Sequence, residues 1–130
     1  MVNNCLYFAF ATVADSRDDY YQQRAGLLQE ELESTAFVDK LGAVIRSEVI
    51  RTPQAADDFG RQAAQSGAQA MIIHIPIWAD PELSLSLAQS FGGPVLLLGN
   101  TRGTTSSVVG TLGAGGGLDQ CGISHSRVFG

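Results

Sequence analysis

Four apolar segments rich in β-branched residues alternate with helical patterns along this chain, and this alternation constrains the fold more than any other feature. The third and fourth segments are nearly continuous apolar runs, which is typical of strands covered on both faces. Strands that alternate with single helices form right-handed βαβ units in a parallel sheet. We therefore predict a doubly wound α/β fold. The four candidate strands are Cys5–Val13, Ala43–Ile50, Ala70–Ile77 and Pro94–Asn100.

The predicted architecture has three layers and is flavodoxin-like or Rossmann-like, with strand order 2-1-3-4. The 130 residues, 45% of them hydrophobic, suffice for one ordinary core, so we expect a single domain over residues 1–130. Residues 122–130 read like the middle of a domain rather than a tail. We therefore expect a further strand after Gly130 and interpret the chain as the N-terminal fragment of a longer protein.

Two helix boundaries are clearly marked between the later strands. Thr52-Pro53 combines a capping residue with proline in the first turn, and that helix should end at Gly67. Asp80-Pro81 repeats the pattern, and Gly92-Gly93 should end the second helix. These signals predict one helix in each of two strand-to-strand connections.

The other two helices are less regular. An amphipathic helix is expected between the first two strands, because Tyr21, Ala25, Leu28 and Leu32 recur at helical spacing. A last helix can start at Thr104 or Thr105, but each of its glycines weakens it by roughly 1 kcal/mol relative to alanine. That helix should either pack very close to a neighbour or be interrupted.

Charge and cysteine content restrict the function classes. The formal net charge is −5 and Lys40 is the only lysine, so the chain lacks a basic surface for nucleic acid. No apolar run is long enough to cross a bilayer, and the first residues do not resemble a secretory leader. Cys5 and Cys121 have no metal-binding or redox spacing, and we interpret Cys5 as a core residue. We expect a cytoplasmic protein without a disulfide.

Polar side chains that follow the strands mark the candidate binding edge. In an open parallel sheet, ligands bind outside the carboxyl ends of the strands. Arg17 follows the first strand, Trp78 the third, and Asn100 and Arg102 the fourth. The arginines suit hydroxyl, carboxylate or phosphate groups, although an arginine at a helix start more often pairs with a neighbouring acid, here Asp15 or Asp80. The loop from Gly99 to Thr104 lacks both established phosphate-binding spacings.

We expect different roles for the two histidines. His74 lies inside the third strand, where a lone histidine is usually a hydrogen-bonded structural residue. His125 lies near the end, in Ser124-His125-Ser126-Arg127, and is a candidate proton carrier or contact residue. We find no nucleophile–base set, no zinc motif and no paired carboxylates. We therefore assign no catalytic residue and no metal ligand to this chain.

Four short motifs are spread over nearly the whole chain. They are Asp15-Ser16-Arg17, SEVIRTP over residues 47–53, Pro76-Ile77-Trp78, and GGGLDQCGISHSR over residues 115–127. In this order they resemble the N-terminal domain of the L-fucose isomerase and L-arabinose isomerase superfamily. The likeness is greatest to the fucose isomerase-like branch, whose members are several times longer.

The resemblance implies an aldose–ketose isomerase that moves a proton between adjacent sugar carbons through an enediol. A divalent cation, usually Mn²⁺, polarises the carbonyl while a carboxylate carries the proton. In that family the metal and catalytic residues lie in other domains, so the isolated chain should be inactive. The N-terminal domain supplies an oligomer interface and substrate contacts in a neighbouring subunit's site. Arg17 and Trp78 match the contact positions.

Substrate identity stays open, because this chain has Pro76-Ile77-Trp78-Ala79-Asp80 where the fucose isomerases have a cysteine-rich segment. The strand and helix rhythm of residues 67–100 also suits a sugar- or small-ligand-binding half-domain of the periplasmic-binding-protein or repressor-core type. A flavodoxin-like interaction domain without a ligand is a third alternative. We include Arg17, Trp78, Asn100, Arg102 and His125 as candidate substrate-binding residues. We expect the Trp78 ring to be exposed in the isolated domain.

Overall fold

The structure is a computed structural model that describes residues 7–14, 29–40, 44–101 and 106–130. Its strands and helices alternate as the sequence predicts. Residues 29–34 are helical (α1) and lead into a 3-10 helix, Ala36–Lys40. The remaining elements are β1 Phe8–Val13, β2 Val44–Ile50, α2 Pro53–Gln65, β3 Ala70–Ile75, α3 Pro81–Phe91, β4 Val95–Gly99, α4 Ser107–Gln120 and β5 Ser126–Phe129.

The five described strands form one parallel sheet in the order β2-β1-β3-β4-β5. This confirms the predicted α/β class, the parallel sheet and the order of the first four strands. A fifth strand, Ser126–Phe129, pairs with β4 inside the chain, and a strand after Gly130 stays a prediction. Four residues of intermediate polarity, SRVF, carry too weak a period for the sequence to reveal them as a strand.

The caps of α2 and α3 lie where the sequence places them. The Thr52 side chain accepts a hydrogen bond from the backbone N–H of Ala55, and Pro53 begins the helix. Asp80 occupies the cap position of α3, although its carboxylate makes no capping hydrogen bond. Gly92 ends α3 in the left-handed conformation that glycine favours, with φ 76°.

Two layers of different thickness cover the sheet. On one side α2, α3 and α4 cover alternate residues of β1, β3 and β4, and this side forms the main hydrophobic core. On the other side Val38 of the 3-10 helix packs with Phe8 and Phe10 of β1 in a smaller cluster, and Leu32 of α1 packs against Ala14 and Ile77. The same side carries Val128, which is 45% exposed. The second layer therefore leaves much of its sheet face open among the described residues.

Helix α4 is continuous despite its glycines, and its packing explains them. A Cβ on Gly110 would lie 3.2 Å from the Cα of Trp78, so the helix lies directly against the connection after β3. A Cβ on Gly115 would lie 2.5 Å from the guanidinium carbon of Arg127. Of the two predicted alternatives, close packing and an interrupted helix, close packing is therefore the one observed. A start at Thr104 or Thr105 falls outside the described residues.

Candidate functional site

The carboxyl edge of the sheet brings together only some of the candidate residues. Trp78 follows β3 and Asn100 follows β4, and these strands are neighbours. Trp78 is half-buried, so its ring is less exposed than we expect from the sequence. Arg17 and Arg102 lie outside the described residues, as do Cys5 and most of the first predicted helix. Trp78 is therefore partly accessible at this edge, within reach of a partner or ligand.

Asn100 is held in a buried hydrogen-bond network. Its amide Nδ2 donates to a carboxylate oxygen of Glu31 at 3.0 Å and to the carbonyl of Pro76 at 2.9 Å. Its backbone N–H donates to Ser107 Oγ at 2.8 Å, and that hydroxyl donates to the carbonyl of Ile75. Both amide hydrogens are thus used inside the chain. Asn100 joins β3, β4, α1 and α4 and is better suited to positioning these elements than to donating to a substrate.

Glu31 is a buried member of this network that the sequence analysis does not predict. Only 6% of its surface is exposed, although it lies on a helix rich in acidic residues. A signal for it exists in the spacing, because Glu31 follows Leu28 by three residues and so falls on the apolar face of the helix. A buried carboxylate is costly unless it is hydrogen-bonded, and the Asn100 amide meets part of that requirement.

A cavity of about 230 Å³ lies next to this network, between the α1 side and the ends of β3 and β4. It is lined by Glu31, Ser34, Thr35, Phe37, His74, Leu98, Gly99, Asn100 and Gly130. Apolar groups form most of its walls, and a few polar groups converge on it. This composition is typical of small-ligand sites, although the cavity is smaller than the roughly 300–1,000 Å³ common for drug-sized ligands.

His74 is buried, with 3% of its surface exposed. Its Nδ1 shares a hydrogen bond with the Thr12 hydroxyl at 3.2 Å, as a structural histidine would, and its ring centroid lies 5.4 Å from that of Phe10. Burial, together with the Arg46 guanidinium, lowers the pKa of His74 to about 4. The ring is therefore neutral near pH 7.

His125 lies away from Trp78 and Asn100. It precedes β5, whose first residue pairs with Leu96 near the start of β4, so it sits at the amino edge of the sheet. Its Nδ1 lies 3.1 Å from the carbonyl of Ile123, and its Nε2 accepts from Arg127 Nε at 3.0 Å. The structure therefore separates His125 from Trp78 and Asn100. The sequence does not reveal this separation, because it gives no clear signal for the short strand β5 that follows His125.

The described residues contain no group of three or more His, Cys, Asp or Glu side chains placed to hold a metal ion. No helix in the described part of the chain is long and apolar enough to cross a membrane.

The family comparison agrees with this architecture. The model of the L-fucose isomerase first N-terminal domain matches residues 12–130, which include all five strands except the start of β1. No curated protein matches the chain. Because the match spans nearly the whole sequence, the chain belongs to the family of the L-fucose isomerase first N-terminal domain.

Proposed function

We propose that this chain is the first N-terminal domain of a metal-dependent ketol isomerase that interconverts an aldose and a ketose through an enediol. The observation that carries the proposal is the family match over residues 12–130. The remaining domains of the longer protein would hold the divalent cation, Mn²⁺ by family likeness, and the catalytic carboxylates. The metal would polarise the sugar carbonyl. The low cysteine content favours the cytoplasm.

The role of this domain in the proposal is substrate contact and oligomerisation. Trp78 lies at the carboxyl edge, where an indole can stack on the apolar side of a sugar ring while its N–H donates to a hydroxyl. Arg17 and Arg102 would add guanidinium donors at the same edge. The contacts would complete the site of a neighbouring subunit, so the active form would be a homo-oligomer. Proton transfer would use no residue of this chain.

A steady-state assay of the longer polypeptide tests the isomerase activity. We expect aldose–ketose interconversion that EDTA abolishes and Mn²⁺ restores, whereas the 130-residue chain alone should be inactive. Trp78→Ala should lower kcat/KM by about two- to tenfold, because an aromatic stacking contact is worth about 0.5–1.5 kcal/mol. Phe37→Ala is the matched control, since Phe37 is an exposed aromatic residue on the 3-10 helix. Metal-independent turnover, or equal losses in both variants, would contradict the proposal.

Mixed oligomers test the contact across subunits. A Trp78→Ala subunit and a subunit lacking a catalytic carboxylate should each be nearly inactive alone, and mixing them should restore part of the activity. Restoration requires that the tryptophan and the carboxylate of one site come from different chains. If mixing restores nothing although oligomers exchange, the contact lies within one subunit. Saturable binding of sugars without any isomerisation would instead favour the ligand-binding half-domain.

A further inference from the structure

Helix α4 carries an apolar face that the described part of the chain leaves open. Six large hydrophobic side chains are exposed among the described residues, and five of them lie on α4 or on the neighbouring β5. Val109 and Leu112 are the most exposed of those on the helix, at 62% and 50%. Asp119, in the last turn, is the only charged residue of α4. A helix that is apolar on all sides is typical of one that is covered on all sides, so we expect a partner on this face.

The glycines of α4 separate into two groups. Gly110 and Gly115 are buried against neighbouring elements, where a side chain would not fit. Gly113 and Gly116 are exposed instead. A Cβ on Gly116 would meet nothing within 4 Å, and one on Gly113 would make only an ordinary contact of 3.4 Å with Pro81. Because glycine weakens a helix relative to alanine, contacts within the described residues do not account for this second group, whereas close approach of another backbone does.

The exposed face of α4 is complementary to itself. One stripe is formed by residues that recur at spacings of three and four, namely Val109, Leu112, Gly113 and Gly116. The first half of this stripe is bulky and the second half is bare. Two copies that run antiparallel about a twofold axis between residues 112 and 113 bring Leu112 of each copy onto Gly113 of the other. The same arrangement brings Val109 onto Gly116, so each bulky side chain enters a gap on the opposite helix.

The charges of α4 suit the same antiparallel arrangement. The chain has a net charge of −5, but the stripe has no ionisable side chain, so pairing the two stripes buries no charge. The Asp119 side chain is 63% exposed in the last turn. In an antiparallel pair this carboxylate lies beside the N-terminal turn of the other helix, where the helix dipole favours negative charge. A parallel pair would instead bring the two carboxylates together.

We propose that the exposed face of α4 binds the same face of a second copy of this chain, as an antiparallel helix pair with twofold symmetry. One face of a 14-residue helix offers fewer residues than the roughly 20–30 a side of a standard interface, so the dimer is weak, with a Kd in about the micromolar range. The contact names one surface of the homo-oligomer and rests on the proposed function for its biological role. It needs neither sugar nor metal, and isomerase activity is not its readout.

Sedimentation velocity of the 130-residue chain at increasing concentration tests the self-association. We expect a reversible monomer–dimer equilibrium. Leu112→Glu should weaken it by about tenfold or more, because it places two carboxylates at the twofold axis. Phe37→Glu is the matched control, since it adds the same charge at an exposed aromatic residue of the 3-10 helix, and it should leave the Kd unchanged. A chain that stays monomeric up to about 1 mM, or equal losses in the two variants, would refute the contact and leave the isomerase proposal standing.

Exchanging the bulk between the two halves of the stripe tests the antiparallel register. Gly116→Val has room in the monomer, yet it should weaken association by about tenfold or more through collision with Val109 of the other copy. Val109→Gly should also weaken association, because it removes a packed side chain. The double variant Val109→Gly, Gly116→Val restores one bulky and one bare position at each contact, so it should associate more tightly than either single variant. Ala64→Val, at an exposed position of α2, is the control and should have no effect.

Circular dichroism of each variant confirms that the monomer is folded before its Kd is compared. A double variant that associates no more tightly than Gly116→Val would show that the two positions do not face each other, which overturns the proposed pairing. Dimers that neither Gly116→Val nor Val109→Gly weakens would place the contact on another surface and overturn it as well.

Discussion

The two faces of the sheet have the same strands but different surroundings. On the α2–α4 face, the side chains of β1 and β3 are alanine, valine, isoleucine and methionine, all of them nearly inaccessible. On the α1 face, the same two strands carry Phe8 and Phe10 but end in Thr12 and His74, beside a cavity. The first face is a closed core, whereas the second is only partly covered within the described residues.

This difference predicts that the two faces contribute unequally to stability. The closed face removes apolar surface from water, which is the main source of folding free energy. The open face carries buried polar groups, which contribute little net stability. We therefore expect equivalent substitutions on the two faces to differ in their effect on the free energy of unfolding.

The largest expected effect comes from truncating adjacent isoleucines of β3 that point to opposite faces. Ile73 is fully buried in the closed core, whereas Ile72 is half-buried on the open face. Ile73→Ala should lower the free energy of unfolding by about 2–5 kcal/mol, because it removes buried methyl groups and leaves a cavity. Ile72→Ala should cost less than half as much. Urea denaturation of both variants measures the difference, and equal losses would show that the open face is covered as well.

The second prediction concerns the pH dependence that His74 adds to the open face. In the folded chain its pKa is about 4, against 6.5 for an unperturbed histidine. Between these values the unfolded chain binds the proton more readily, so stability falls as pH drops from about 6.5 to about 4. His74 should account for about 3 kcal/mol of that loss, at 1.36 kcal/mol per unit of pKa. Above pH 7 it should contribute no slope.

Replacing His74 separates its contribution to the pH dependence of stability from the contribution of the carboxylates. His74→Gln should show a shallower decline in the free energy of unfolding between pH 6.5 and pH 4, measured by urea denaturation at each pH. Arg46→Gln should reduce the decline by a smaller amount, because desolvation is the larger cause of the lowered pKa and Arg46 the smaller. Parallel curves for the wild type and His74→Gln would mean that the ring is charged in the folded protein.

The third prediction tests how tightly the closed face is packed. A Cβ on Gly60 of α2 would lie 1.8 Å from the Ser90 hydroxyl oxygen and 3.0 Å from the Leu87 carbonyl oxygen of α3. Gly60→Ala should therefore destabilise by about 1–3 kcal/mol, as overpacking does, despite the better helix propensity of alanine. The double variant Gly60→Ala, Ser90→Gly should recover part of the loss. A stabilised single variant would show that the two helices can separate at little cost.

Most of the fold could be predicted from the sequence, because its signals are local. Thr52-Pro53, Asp80-Pro81 and Gly92 mark helix ends through backbone chemistry that operates within a few residues. The continuous apolar runs of β3 and β4 are likewise local signals, and they indicate strands that are covered on both faces. The strand Ser126–Phe129 is not predictable in this way, because all four of its residues are exposed and they carry no alternating apolar pattern.

The candidate site was less predictable because its members meet only through tertiary packing. Asn100 and Glu31 are 69 residues apart, and neither has a local motif. His74 and Thr12 are 62 residues apart and meet only because β1 pairs with β3. The position of Asn100 after a strand predicts a substrate contact, whereas its amide hydrogens bond within the chain. His125 is a candidate from its local segment alone, and only the pairing of β5 with β4 shows that it lies near the amino edge of the sheet.

The smallest expected effect lies at the edge of the closed face, where Arg127 reaches back over α4. Its guanidinium donates to the Asp119 carboxylate at 2.8 Å, and 32% and 63% of the two side chains are exposed. Exposed ion pairs contribute little, so Asp119→Asn should cost only about 0.2–1 kcal/mol, and less in high salt, which screens the charges. Urea denaturation at low and high NaCl measures both the loss of stability and its dependence on salt. This contact joins β5 to α4 at the edge of the sheet. A loss comparable to that of Ile73→Ala would therefore mean that β5 depends on this ion pair. The edge of the closed face would then be held by electrostatic attraction rather than by apolar packing.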